Sequence, residues 1–117
     1  MFGRLQDRIS SAAIFHKRFQ SSNSGNNVEV IAGVPGMRLS IVSIEESSNA
    51  GGVVEFHFKS SSVTDTDYVS SAQLPPAINI LKFYGDAAPV GGVGEGLFVD
   101  TVSGLRGVVQ YILLPEA

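Results

Sequence analysis

From residue 28 onward, apolar and polar residues alternate with a period of two, the spacing at which successive side chains of an extended strand fall on opposite faces. The alternation is cleanest over residues 53–59, where Val54, Phe56 and Phe58 share one face and Glu55, His57 and Lys59 the other. Residues 28–32 and 37–44 read as two further strands around Val34-Pro35-Gly36, a turn in which Pro presets φ at the first corner and Gly accepts a positive φ at the next. After the polar run 47–52 and the strand 53–59, residues 60–73 read as a long loop with a short strand around 63–69, stopped by Leu74-Pro75-Pro76. Residues 78–84, 97–102 and 107–114 complete the set, the last two flanking a turn at Ser103-Gly104 and closed by Pro115.

Before residue 28 the period is different. Phe2, Leu5, Ile9, Ala12, Ala13 and His16 recur at intervals of three and four, while Arg4, Asp7, Arg8 and Ser11 fall elsewhere, the pattern of a short amphipathic helix. The helix is expected to fade near Phe19, because residues 21–27 are a polar run of Ser, Asn and Gly with nothing to bury. The expected organisation is therefore a basic arm and linker, residues 1–27, followed by one all-β domain, residues 28–117. Six to eight short strands with turn formers between them describe an antiparallel β-sandwich or small barrel.

Composition agrees with one such domain. The chain has 117 residues, 13 of them Gly, and 44% hydrophobic content, enough for one core. It contains no Cys, which excludes a disulfide framework, a thiolate metal site and a thiol nucleophile. The chain reads as soluble: no apolar run approaches the roughly 18 residues of a membrane-spanning helix, and the start lacks the apolar stretch of a secretory signal. No membrane partner is expected.

Charge is divided unevenly. Residues 1–20 carry Arg4, Arg8, Lys17 and Arg18 against Asp7 and are net positive, whereas the remainder of the chain is acidic enough to bring the total to −3. An acidic body without clustered Lys or Arg is poorly suited to a phosphate backbone, so nucleic acid is not an expected partner.

Candidate chemistry is sparse. His16 and His57 have no motif around them, and His57, on the polar face of its strand, reads as an ordinary surface histidine. Asp65-Thr66-Asp67 lacks the Gly and the distant Glu of a calcium loop and reads as a solvated turn. Residues 92–96 are glycine-rich, but a strand follows them where a phosphate-binding loop needs a helix, so they read as a flexible or bulged connection allowing close approach of a neighbouring chain. G-x-S-x-G does not occur. These features point away from an enzyme, and no cofactor or metal is expected.

The arm carries the most functional information. Its Arg- and Ser-containing amphipathic start also suits an organelle-targeting presequence, and a passive tail is the plainest alternative. The preferred expectation is a docking arm in which Phe2, Leu5, Ile9, Phe15 and Phe19 sit on a partner while Arg4, Arg8, Lys17 and Arg18 meet an acidic surface.

The body also resembles a known family. Val30-Ile31-Ala32-Gly33-Val34-Pro35-Gly36-Met37-Arg38-Leu39-Ser40-Ile41-Val42-Ser43-Ile44, then Val53-Val54-Glu55-Phe56-His57-Phe58-Lys59-Ser60, is similar to small β-sandwich virion proteins of tailed bacteriophages, as is the ending Gly96-Leu97-Phe98-Val99 and Gly107-Val108-Val109-Gln110-Tyr111-Ile112. The resemblance spans about three quarters of the chain and rests on pattern. It implies a jelly-roll-like sandwich that decorates or cements a capsid from outside, commonly as a homotrimer, with the major capsid protein as partner and no cofactor. The alternative function is a lectin-like or tail-fibre domain that recognises a glycan or receptor. The lack of Trp and the presence of only three Tyr, Tyr68, Tyr84 and Tyr111, weigh against that alternative.

Overall fold

The computed structural model describes residues 13–58, 68–84 and 88–115. Among them are eight strands: β1 (Phe15–Ser21), β2 (Gly25–Ile31), β3 (Met37–Ser48), β4 (Gly52–His57), β5 (Tyr68–Leu74), β6 (Ile80–Phe83), β7 (Leu97–Thr101) and β8 (Leu105–Pro115). They form two antiparallel four-stranded sheets, ordered β1-β8-β3-β6 and β2-β7-β4-β5, consistent with a β-sandwich. The pairing is nested: first strand with last, second with seventh, third with sixth and fourth with fifth.

Alternation decides which side chains fill the space between the sheets. Leu39, Ile41 and Ile44 of β3, Leu105 and Val109 of β8, Val54 and Phe56 of β4, and Leu97 and Val99 of β7 are all buried in one cluster. Val54, Phe56 and Phe58 are buried together, as the alternation of residues 53–59 predicts. The Pro-Gly turn also forms as expected: the Met37 N–H donates to the Val34 carbonyl at 3.1 Å, and Gly36 has φ 74°.

β3 is paired along both edges, by β8 on one and by β6 on part of the other. Past β6 the second edge is held by the segment that follows. The Tyr84 N–H donates to the Val42 carbonyl, Ile41 N–H to Pro89, Gly91 N–H to Leu39 and Gly94 N–H to Met37, at 2.8 to 3.1 Å. The glycine-rich connection is thus fastened to β3 in its described part. Close approach explains two of the neighbouring glycines: a Cβ on Gly96 would run into the Ile31 carbonyl oxygen, and one on Gly33 into that of Gly94.

Three expectations are corrected. The N-terminal helix is not seen. Residues 1–12 lie outside the described residues, and from Phe15 to Ser21 the chain is β1, in register with β8 from Phe15↔Tyr111 to Ser21↔Leu105. An isolated helix of this length is marginal in water, whereas the open edge of β8 supplies backbone partners and lets Phe19 enter the core. The polar run 21–27 supplies the end of β1, a crossing between the sheets and the start of β2. Its polarity is used: the Ser21 hydroxyl donates to the Asn23 carbonyl, and the Ser103 and Thr101 hydroxyls to those of Ser22 and Asn23. Most of the strand expected around 63–69 falls on residues 59–67, outside the described residues; its last two positions, Tyr68 and Val69, begin β5.

The third correction concerns His57, which is 1% exposed. It lies on the outer side of its sheet but is enclosed there by Phe98, stacked at 6.4 Å, and by Tyr68, edge-on at 6.0 Å. Its Nε2 lies 3.3 Å from Asp100 Oδ1, which also accepts the Asn27 N–H at 2.9 Å. The imidazole and carboxylate together tie β4, β7 and β2.

A candidate protein-binding face

The short strand β6 is inverted relative to its own polarity pattern. Its inward positions are Ile80 and Lys82, paired with Glu46 and Ile44; its outward positions are Leu81 and Phe83, paired with Glu45 and Ser43. Leu81 is 65% and Phe83 64% exposed. Two large apolar side chains in water beside a lysine turned inward is the reverse of what solvation alone selects.

Lys82 is held inside by polar partners. Its ammonium donates to the Ser70 hydroxyl of β5 at 2.8 Å, across the gap between the sheets. Nearby, Glu46 of β3 is fully buried, and neither carboxylate oxygen has a hydrogen-bond partner among the described residues. Burial pushes the Glu46 carboxyl up to about 7, an effect reduced by the Lys82 charge. The Tyr84 phenol, which donates to the Val69 carbonyl at 3.4 Å, is also raised, first by burial, with Ser70 opposing and the Glu46 charge adding to it.

Outside, the exposed face of the β1-β8-β3-β6 sheet carries two adjoining depressions. The smaller, about 260 Å³, lies among Leu81, Phe83, Ser43, Val108 and Gln110. The larger, about 550 Å³, lies between Arg18 of β1 and Arg106 of β8 and includes Gln20, Ser47 and Asn79. Glu45 and Val108 line both, so the surface is continuous. Glu45 accepts a hydrogen bond from the Asn79 amide. Arg18 and Arg106 are exposed, and neither has an ion-pair partner among the described residues. Gly107 also lines the larger depression; a Cβ there would run into the Glu45 carbonyl and stand 2.9 Å from the Phe19 ring.

The residues expected to dock a partner are divided by this geometry. Phe2, Arg4, Leu5, Arg8 and Ile9 lie outside the described residues. Phe19 packs into the core against Phe56, and Phe15 stacks on Tyr111 with centroids 5.5 Å apart while staying 41% exposed. Lys17 borders a groove of about 220 Å³ along the β1 and β2 edges. Arg18 borders that groove too and also lines the larger depression on the outer face. A strand sends neighbours to opposite sides, so the four do not form one surface.

Leu81, Phe83 and Arg106 are absent from the sequence-based selection. Alternation over residues 78–84 does not single them out, because both phases contain apolar residues: Ile78, Ile80 and Tyr84 in one, Leu81 and Phe83 in the other.

No family model, curated protein or solved structure matches this chain.

Proposed function

We propose that this chain is a non-catalytic virion structural subunit, a cement or decoration protein that binds the major capsid protein on the outside of an assembled phage head and associates with itself as a homotrimer. The observation that carries the proposal is the exposed sheet face on which Leu81 and Phe83 stand beside Arg18 and Arg106. Aromatic and Arg side chains are enriched in protein interfaces, and burying each of the two apolar side chains would contribute on the order of 1 to 2 kcal/mol.

The nested strand pairing supports the same conclusion by analogy of fold. First with last, second with seventh, third with sixth and fourth with fifth is the order of a jelly roll, a fold used by viral capsid and lectin domains. A subunit that binds only the assembled shell stabilises it by mass action, with no cofactor.

The test is co-sedimentation of the full chain with heads of its own phage purified without it, together with its mass in solution. Saturable binding and a trimer mass are expected. Failure to bind heads, with retention on a glycan array, would replace the proposal by glycan recognition.

A further inference from the structure

We propose that the depression between Arg18 and Arg106 receives an extended acidic segment of a partner protein, its carboxylates on the two guanidinium groups and its apolar side chains on Leu81 and Phe83. This deepens the proposed function and rests on it only for the identity of the partner.

Register places the two cations together. Arg18 is paired with Val108, and Gln20 with Arg106, so Arg18 and Arg106 are diagonal neighbours on the same outer face. Like charges at such positions repel, and an internal carboxylate between them would relieve that. The carboxylate that reaches the depression, Glu45, is engaged with Asn79. Neither guanidinium group has an ion-pair partner among the described residues, so each has donors to offer an external anion, and the planar fork of each fits a carboxylate with two parallel hydrogen bonds.

Other features select the kind of anion. Leu81, Phe83 and Val108 adjoin the cations, so a ligand covering the whole surface alternates acidic and apolar groups, as an extended peptide does and a phosphodiester backbone does not. The acidic balance of the chain, −3 overall, opposes a long polyanion at a distance while leaving short-range pairing at the two arginines intact.

The experiment presents the immobilised full chain to a displayed library of random twelve-residue peptides, and re-measures selected peptides by fluorescence anisotropy against wild type, R18A/R106A and L81S/F83S. The expected result is enrichment of Asp and Glu interspersed with apolar residues, with affinity at least about tenfold weaker in each double variant and in high salt. Enrichment of neutral or basic peptides, no enrichment, or acidic peptides bound equally by R18A/R106A would each overturn the inference. The same variants in head co-sedimentation separate the two proposals. Heads bound equally by wild type and R18A/R106A sink the acidic groove and leave the cement proposal standing. Acidic peptides bound by a chain that ignores heads do the opposite.

Discussion

Phe19 and Phe56 meet edge to face across the sandwich, with ring centroids 5.6 Å apart and planes at 75°. Phe19 comes from the edge strand β1 and Phe56 from the inner strand β4, so the contact joins the two sheets. The Phe19 ring also lies beside Gly107, its cross-strand partner, filling space that a side chain there would occupy. A residue that resembles a docking anchor in the sequence is thereby part of the core.

Replacing Phe19 by Ala should destabilise the fold by about 2 to 3 kcal/mol, whereas Phe15→Ala, at an exposed site, should cost less than about 1 kcal/mol. Urea unfolding of the two variants checks this. Equal losses would show that β1 is not anchored through Phe19.

Glu46 makes stability depend on pH. Its carboxyl is raised from 4.5 to about 7 in the folded chain, so between those values the folded state keeps a proton that the unfolded state has lost. Stability is therefore greatest below about 4.5 as far as this group is concerned, falls as pH rises towards about 7, and levels off above it. The total loss should be about 3 kcal/mol. Unfolding midpoints at pH 5 and pH 8 should differ in the wild type and much less in Glu46→Gln. Lys82→Met should enlarge the loss and extend it to higher pH, because the ammonium favours the ionised carboxylate. Parallel profiles for wild type and Glu46→Gln would rule out Glu46 as the group responsible.

Two classes of glycine should respond differently to Ala. At Gly33 and Gly96 the new methyl meets a backbone carbonyl oxygen, so a loss of at least about 2 kcal/mol is expected. Gly104 has φ 69° and open space around it, so only the conformational cost remains, about 1 kcal/mol. Thermal melting of the three variants should preserve that order.

Leu81→Ser and Phe83→Ser should change folding stability by no more than about 0.5 kcal/mol, since both side chains already stand in water. Their effect should appear in association, as head binding weakened by about tenfold or more at unchanged melting temperature. A large drop in melting temperature would identify them as structural residues.

Much of the architecture was legible before any coordinates. Alternation over residues 53–59 and 97–102, the Pro35-Gly36 turn and the Ser103-Gly104 turn specify extended chain and reversals locally, because φ and ψ preferences and side-chain period are properties of neighbouring residues. The absence of Cys likewise settles by composition that core packing, without disulfides, supports the fold. Tertiary structure decided what local pattern leaves open. Residues 15–21 satisfy a helical spacing and a strand spacing alike, and the unpaired edge of β8 selected the strand. In β6 each phase contains an apolar residue, and Lys82 turned inward with Ile80 because Ser70 of the opposite sheet receives its ammonium. The burial of Glu46 and His57, and the meeting of Arg18 with Arg106, follow from registers between strands far apart in the chain. Such registers are chosen by the packing of both sheets at once, a collective energy that no single window of sequence contains.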